Sequence, residues 1–523
     1  MITEDQTEIV EYLGSSSTHG GTAVERIETH GSVVFLAGPR AWKLKRAVRY
    51  DYLDFSTLDR RKAMCEAEVR INRRTAPALY RGVVAITRQS DGSLVLGGSG
   101  TPIEWVVEME RFDQEGLLDR LAERGALDLS VMRPLAAGIA ALHRIAEPRT
   151  DHGGAPGLAW VIDGNERGFA EQGAGILDPV VGARVTAAAR LALEHHGALL
   201  NARRDAGLVR QCHGDLHLRN IVLLDGRPTV FDGIEFNDEI ACIDVLYDLA
   251  FLLMDLWRRR LPRHANALWN HYLAETKDLQ GLALVPLFLS CRAAVRAKTS
   301  ATAATLHSDP FRRGELQALA RDYLAMADDL LRPPGPCLIA IGGLSGSGKS
   351  TLAVALGFCV GAPPGAVVIR SDETRKRLCG VEPLVRLGPE GYTPEVSCRV
   401  YTAVGEQAAV VVRGGHAAIA DAVFARAADR DAIERVAADA GVPCVGLWLA
   451  APEATLVARA EGRRHDPSDA DAEVIRGQLA EDTGPIQWHR LDASASQEEV
   501  FREARLVLGR VLGQRMIRQE SQP

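Results

Sequence analysis

The stretch Gly343-Leu344-Ser345-Gly346-Ser347-Gly348-Lys349-Ser350-Thr351 lies between an apolar run, Cys337–Ile341, and a helical pattern over Thr351–Leu356. It satisfies the pattern GxxxxGK[ST], whose glycines let backbone N–H groups converge on phosphate oxygens at a helix N-terminus. The lysine of this pattern reaches the outer phosphates, and the hydroxyl that follows it reaches Mg²⁺. Strand, loop and helix in this order predict an ATP-binding P-loop formed by Gly343, Ser345, Gly346, Ser347, Gly348, Lys349, Ser350 and Thr351.

The chain after residue 337 alternates short apolar runs with helical patterns. This rhythm predicts an α/β domain with a parallel sheet covered on both faces, with strands at Cys337–Ile341, Val367–Ile369, Ala417–Ala420 and Val445–Leu449. Asp372 follows the second of these strands, where an acidic side chain can accept the proton of an attacking hydroxyl. It could instead cap the helix that begins there. Asp421 follows the third strand and is either a metal or substrate ligand or a loop-start cap.

Arginines precede a Pro/Ser/Asp loop near residue 467. Arg459, Arg463 and Arg464 suit a lid that closes over phosphates, because guanidinium groups bind phosphate oxygens in pairs; a solvated helix face is the alternative. Over residues 337–495 the P-loop, Asp372 and these arginines resemble the small P-loop kinases that include gluconate kinases, polynucleotide 5′-hydroxyl kinases and zeta toxins. We find no strand ending in Asp-Glu, which disfavours a motor-type ATPase.

A break near residue 333 divides the chain. Arg332-Pro333-Pro334-Gly335-Pro336 cannot continue a helix. We therefore expect one domain over residues 1–332 and a P-loop domain over residues 333–523. The first has a strand-rich lobe at about 20–115, interrupted by a helix at about 59–74, and a mainly helical lobe at about 116–332.

The first domain contains His213-Gly214-Asp215-Leu216-His217-Leu218-Arg219-Asn220, followed by Phe231-Asp232-Gly233-Ile234-Glu235-Phe236. In this spacing Asp215 can take the proton of an acceptor hydroxyl, while Asn220 and Asp232 offer hard oxygen ligands to Mg²⁺. His213 and His217 could instead form a metal site with Asp215. Between His213 and Phe236 no third His or Cys accompanies them, and the loop-to-strand context favours phosphoryl transfer.

Over roughly 20–330 these motifs resemble the aminoglycoside phosphotransferase family, which has a two-lobed protein-kinase-like α+β fold. The resemblance implies a strand lysine that meets the ATP phosphates and a helix glutamate that holds it. Lys43 is the preferred lysine with Lys45 as the alternative, and Glu68 is preferred over Glu66. Thr29-His30-Gly31-Ser32 is a weak candidate for a phosphate loop, because it lacks the pattern GxGxxG. Asp244 and Asp248 are expected to brace the catalytic loop.

The whole chain resembles bacterial fusions of these two domain types. We expect a kinase with two ATP·Mg²⁺ sites that phosphorylates hydroxyls of small molecules. Alternatively, one module senses ATP and gates the other, or the second module is a zeta-like toxin or a nucleic-acid 5′-hydroxyl kinase. A net charge of −7 disfavours nucleic acid. Scattered cysteines and the absence of a signal peptide or a membrane span predict a cytoplasmic protein. Glu235, Asp238 and Glu239 either bind a cationic acceptor or form a solvated loop.

Overall fold

The computed structural model describes residues 2–382, 384–462 and 468–518. Their contacts form two compact units: unit 1 comprises residues 1–161 and 197–255, and unit 2 comprises residues 162–196 and 256–523. Unit 2 therefore includes both sides of the break near residue 333, and the domain division predicted there remains a prediction. Among the residues described, no helix combines the length and apolarity needed to cross a bilayer.

Unit 1 is built around an antiparallel sheet in the order β1-β2-β3-β8-β6-β7. Smaller antiparallel pairs, β4–β5, β9–β12 and β10–β11, accompany it. The strands are β1 Val24–Glu28, β2 Ser32–Ala37, β3 Arg40–Lys45, β4 Arg49–Tyr50, β5 Leu53–Asp54, β6 Tyr80–Arg88, β7 Leu94–Leu96, β8 Thr101–Glu110, β9 Val209–Gln211, β10 Ile221–Leu224, β11 Arg227–Val230 and β12 Cys242–Asp244.

Unit 2 contains a parallel sheet in the order β14-β15-β13-β16-β17. Its strands are β13 Leu338–Gly343, β14 Val367–Arg370, β15 Ala418–Asp421, β16 Cys444–Ala450 and β17 His489–Asp492. The central strand β13 is buried at every residue, as expected of a strand covered on both faces. The predicted strands are confirmed here, and β17, which has a single buried residue, was not predicted.

The helices alternate with these strands in unit 2 and predominate after β8 in the first part of the chain. They are α1 Thr7–Gly14, α2 Leu58–Asn72, α3 Leu118–Glu123, α4 Met132–Ile145, α5 Gly154–Glu171, α6 Pro179–Asp205, α7 Asp238–Ala241, α8 Val245–Arg258, α9 Pro262–Thr276, α10 Val285–Leu306, α11 Pro310–Leu330, α12 Lys349–Gly357, α13 Ser371–Leu378, α14 Pro394–Arg413, α15 Ala427–Ala440, α16 Glu453–Glu461, α17 Ala472–Ala480 and α18 Gln497–Leu512. The predicted fold class, a β-rich lobe with a helical lobe followed by a parallel-sheet domain, is confirmed.

Two apolar layers fix the sheet of unit 1. One layer lies under α1 and includes Leu13, Phe35 and Leu44. The other lies under α2 and includes Cys65 and Val107. Because successive side chains of a strand point to opposite faces, β3 contributes to both layers while its two lysines, at positions 43 and 45, share one face.

Candidate active sites

The P-loop connects β13 to α12, as its sequence predicts. Gly346 has φ 87°, and a Cβ placed there would lie 2.3 Å from the carbonyl oxygen of Leu456. Gly343 has φ 134°, and a Cβ there would lie 2.4 Å from the carbonyl oxygen of Leu449. Both positions therefore require glycine on conformational and steric grounds. Lys349 Nζ donates to the carbonyl oxygen of Leu344 at 3.0 Å, so the lysine side chain folds back over the loop.

Ser350 and Asp421 form the second feature of this site. The Ser350 hydroxyl donates to Asp421 Oδ2 at 2.5 Å. Asp421 ends β15 and is buried; burial raises the pKa of its carboxyl group, against the opposing effect of Arg370 and Lys349. A hydroxyl and a carboxylate at the end of the phosphate loop are oxygen donors of the kind that Mg²⁺ prefers. The donor set therefore fits a magnesium ion.

A cavity of about 340 Å³ opens above the loop. It is lined by the P-loop residues from Ser345 onward and by Asp372, Asp421 and Arg459. Asp372 is the second residue of α13, and the cap position of that helix is Arg370, whose side chain makes no cap hydrogen bond. Asp372 is thus not the helix cap, and it faces the cavity that the phosphate loop borders.

The predicted arginine lid is only partly described. Arg459 lines the cavity and donates through Nη1 to the carbonyl oxygen of Ala493 at 2.7 Å. Arg463 and Arg464 lie outside the described residues. Just beyond them, the Asp469 carboxylate accepts from Lys376 Nζ at 2.6 Å and from the Tyr392 hydroxyl at 2.7 Å. These contacts of Asp469 were not predicted, because they join residues that are distant in sequence and follow no motif.

In unit 1 the two lobes' predicted phosphate and metal residues meet at Lys43. Its Nζ lies 2.8 Å from Glu68 Oε1 and 2.5 Å from Asp232 Oδ1. Burial would lower the pKa of Lys43, but Asp232 and Glu68 raise it well above its ordinary value. The strand lysine, the helix glutamate and the metal-loop aspartate are therefore brought into one cluster of ion pairs.

Lys45, the alternative lysine, joins the same cluster from the same face of β3. Its Nζ lies 2.6 Å from Glu68 Oε2 and also contacts Glu235 Oε1. Burial alone would raise the pKa of Glu68, but its contacts with Lys43 and Lys45 lower it to about 2. Glu66 is exposed, so Glu68 is the helix glutamate that the structure brings to both lysines.

The catalytic loop places Asp215 beside Asn220. Asn220 Nδ2 donates to the backbone oxygen of Asp215 at 3.0 Å and to Asp215 Oδ2 at 3.1 Å. These bonds use the amide nitrogen, which leaves the amide oxygen Oδ1 as the atom suited to a metal. With the carboxylate of Asp232, which is 43% exposed, the donors fit Mg²⁺.

His213 and His217 make contacts within the catalytic loop and with the residue that follows β11. His213 Nε2 hydrogen-bonds the carbonyl oxygen of Phe231 at 2.8 Å, and burial lowers the pKa of His213. His217 Nε2 lies 3.2 Å from Asp215 Oδ2. In the described part of the chain, the group with metal-ligand spacing is instead His143, Cys212 and Asp248.

The aspartates expected to brace the loop have buried partners. Asp248 accepts from the backbone amides of His213 at 3.1 Å and Gly214 at 2.9 Å. Asp244 pairs with Arg203 at 2.7 Å. Asp248 thus holds the backbone of the catalytic loop directly, whereas Asp244 anchors the strand before α8.

Two further expectations concerned loops. Thr29–Ser32 forms the turn between β1 and β2, with the Thr29 amide donating to the Ser32 carbonyl oxygen at 2.9 Å. For Glu235 both expected roles are wrong, because its carboxylate is buried and bound to Lys45. Glu235 is therefore neither an acceptor ligand nor part of a solvated loop. Asp238 pairs with Arg149 at 3.0 Å.

Family models match both halves of the chain. Residues 54–284 match the phosphotransferase enzyme family, and residues 338–485 match an AAA domain model. A protein of Mycobacterium tuberculosis called uncharacterized is 29% identical over 490 residues, which cover 91% of this chain and 94% of that protein. An adenylyl-sulfate kinase of Myxococcus xanthus is 32% identical over 143 residues, which cover 27% of this chain and 69% of that enzyme. The crystal structure of a gluconokinase from Sinorhizobium meliloti is 21% identical with a TM-score of 0.26, and covers 35% of this chain and 96% of that one.

The first matched segment contains Glu68, Asp215, Asn220 and Asp232 and begins after Lys43, and the second contains the P-loop, Asp372 and Asp421. The chain is an ATP-dependent phosphotransferase with two kinase-type domains. More particularly, it joins an aminoglycoside phosphotransferase-like domain, residues 54–284, to a P-loop kinase domain, residues 338–485. Kinase families of this type use ATP with a divalent metal ion.

Proposed function

We propose that each domain transfers the γ-phosphoryl group of ATP to a hydroxyl of a small molecule such as a sugar, a sugar acid, an aminoglycoside-like compound or a nucleoside. The observation that carries the proposal is that each half of the chain brings together groups suited to binding phosphate, holding the metal and accepting the proton. Lys43, held by Glu68, meets Asp232 beside the Asp215–Asn220 pair. In the other half, the hydroxyl of Ser350 meets Asp421 in the cavity that Asp372 lines.

In the first domain Asp215 is the group that takes the proton of the acceptor hydroxyl. The hydrogen bond from Asn220 to its Oδ2 orients the carboxylate. Lys43 neutralises phosphate charge, and Glu68 holds it on the strand. Asn220 and Asp232 would hold Mg²⁺, which spreads the negative charge of the ATP phosphates when bound.

In the second domain the P-loop amides and Lys349 bind the phosphates. Ser350 and Asp421 would hold the ion, and Asp372 receives the acceptor proton. Arg459, which lines the cavity, completes the phosphate site. The predicted phosphate-binding role of Arg463 concerns a residue outside the described ones. Because Asp372 occupies the second position of α13 and leaves the cap position to Arg370, its carboxylate is available for chemistry at the cavity.

The test is a screen of aminoglycosides, sugars, sugar acids and nucleosides with Mg·ATP, read as the mass gain of one phosphoryl group. Products lost in Asp215→Asn belong to the first domain, and products lost in Lys349→Ala belong to the second. Asp225→Asn is a matched control, because Asp225 is exposed in the β10–β11 turn and asparagine tolerates its φ of 49°.

The outcomes separate the alternatives. If Asp215→Asn retains every product, the first domain is not a kinase, and an ATP-sensing role takes its place. If an oligonucleotide with a 5′-hydroxyl end, added to the screen, is the compound that gains phosphate and Lys349→Ala abolishes that gain, the second domain is a 5′-hydroxyl kinase. Toxicity of the intact chain that disappears in Lys349→Ala would support a zeta-like role.

A further inference from the structure

Strand β14 forms one edge of the parallel sheet and leads directly into Ser371 and Asp372. It pairs with β15 on its inner side, with Val367 opposite Ala418 and Arg370 opposite Asp421. The outer N–H and C=O groups of an edge strand have no neighbouring strand to pair with. They therefore need hydrogen-bond partners from another element or from solvent. The outward N–H of Val368 in β14 and the carbonyl oxygen of Ala366, just before the strand, find theirs on helix α9.

Asn270 of α9 supplies that partner with its side-chain amide. Its Oδ1 accepts from the backbone N–H of Val368 at 2.7 Å, and its Nδ2 donates to the carbonyl oxygen of Ala366 at 3.1 Å. These two backbone groups flank Val367 and are the pair that a residue of a neighbouring parallel strand would engage. One asparagine therefore takes the place of a strand residue at the edge of the sheet.

Asn266, one helical turn earlier on the same face of α9, extends this contact. It is 4% exposed, and its Nδ2 donates to the carbonyl oxygens of Pro364 at 3.1 Å and Ala366 at 3.0 Å. Asn270 Nδ2 also donates to Asn266 Oδ1 at 3.1 Å. A Cβ at Gly357 or Gly365 would lie 2.5 or 2.7 Å from the Asn266 amide, so both glycines make room for it.

A second contact reaches the neighbouring strand from the segment that follows α9. His416, two residues before β15, hydrogen-bonds through Nε2 to the carbonyl oxygen of Leu282 at 3.0 Å. Residues 262–284 thus contact the starts of both β14 and β15. These residues lie in the segment matched by the phosphotransferase family, whereas the strands lie in the segment matched by the AAA domain model, and all belong to unit 2.

We propose that Asn270, supported by Asn266, is a positioning residue for the P-loop kinase site. It fixes the edge strand whose carboxyl end carries Asp372, and so sets where that carboxylate meets the acceptor hydroxyl. The proposal rests on the proposed function of the P-loop site. It concerns the acceptor side of the site, because Asn270 bonds the edge strand β14, whereas the P-loop follows the central strand β13.

The experiment uses the full chain in an Asp215→Asn background, so that ADP released from Mg·ATP reports the P-loop site. Asn270→Ala is compared with Asn165→Ala. Asn165 is the control because it is also a helix asparagine, is 4% exposed, and donates to the carbonyl oxygen of Cys291 in the same compact unit. Hydrogen–deuterium exchange is followed for peptides covering 366–372 and 338–343, together with kcat and KM for ATP.

In Asn270→Ala we expect exchange over 366–372 to accelerate at least about tenfold, since both hydrogen bonds that protect this edge against local opening are lost. Exchange over 338–343 stays unchanged. The kcat falls at least about fivefold, with KM for ATP within about twofold. Asn165→Ala changes neither exchange over 366–372 nor the kinetic constants.

Unchanged exchange over 366–372, or equal acceleration in Asn165→Ala, would overturn the proposal. Faster exchange with unaltered kcat would show that Asn270 only covers an edge, which also overturns it. A wild-type P-loop site that releases no ADP, even with the acceptors of the screen, refutes the proposed function instead. The exchange data then decide by themselves whether Asn270 holds β14.

Discussion

Substitutions of the two lysines of β3 should have different effects. Both lysines contact Glu68, but Lys43 also contacts Asp232 and Lys45 also contacts Glu235. Lys43→Met leaves Glu68 with Lys45 and releases Asp232, which is 43% exposed and can be solvated. Lys45→Met leaves Glu235 without its lysine, and the side chain of Glu235 is 5% exposed. The substitution of Lys45 should therefore damage the fold, and that of Lys43 the reaction.

The magnitudes follow from burial. Removing one partner of a buried ion pair costs about 3 to 5 kcal/mol, because it leaves an uncompensated charge. We expect a loss in this range for the free energy of unfolding of Lys45→Met. Lys43→Met should lose about 1 to 2 kcal/mol, since Glu68 keeps one hydrogen-bonded lysine. Loss of a positioned donor to phosphate should lower its kcat by about 10² to 10³.

The assay combines urea unfolding with phosphotransfer by the first domain, measured in a Lys349→Ala background. The double variant Lys45→Met/Glu235→Leu is the control, because removing both ions together leaves no unpaired charge and should recover at least half of the lost stability. If Lys45→Met were as stable as Lys43→Met, the cluster would not divide its roles in this way. Equal loss of kcat in both single variants at full folding would refute the assignment of Lys43 to the phosphates.

Three further predictions concern the P-loop domain. Burial lowers the pKa of His416 from 6.5 to about 4, so protonation opposes folding as pH falls from 6.5 towards 4. Urea titrations should show a loss of about 2 kcal/mol at pH 5 relative to pH 7 that His416→Gln lacks, and an identical loss in that variant would contradict the assignment. Gly346→Ala should abolish binding of a fluorescent ATP analogue by the second domain, because its Cβ would meet the carbonyl oxygen of Leu456; affinity within threefold of wild type would contradict this steric argument. Asp421→Asn should raise the Mg²⁺ concentration for half-maximal activity at least about tenfold, measured by magnesium titration, and an unchanged requirement would exclude Asp421 as a ligand beside Ser350.

Local motifs predicted the phosphate and metal loops because the residues that each loop needs lie close together in the sequence. The P-loop needs glycines at fixed offsets from Lys349, and the catalytic loop needs Asn220 at a fixed distance from Asp215. Such requirements are visible without knowledge of the tertiary fold. The bond between Asn270 and Val368 has no comparable signal, because it joins residues 98 positions apart and asparagine on a helix has many other uses.

The choice between Lys43 and Lys45 could not be made from sequence periodicity. Residues two apart on a strand share a face, so no periodicity could separate them, and both do reach Glu68. Only their second partners distinguish them, and those come from the loop around Asp232 and Glu235.

The choice between Glu66 and Glu68 was within reach of the sequence. The buried positions of α2 include Arg61, Cys65, Glu68 and Asn72, which recur at the spacing of one helix face. Glu66 falls off that face and is exposed. The face is hard to recognise because it carries charged and amide groups in place of a continuous apolar stripe. Its polar members bind groups on other elements: Arg61 pairs with Glu104 of β8 at 2.9 Å, and Asn72 accepts from the amide of Gly233, after β11, at 2.8 Å. A helix face that is buried through hydrogen bonds and ion pairs follows the same 3.6-residue period as an apolar one, so a search for buried polar periodicity would have selected Glu68.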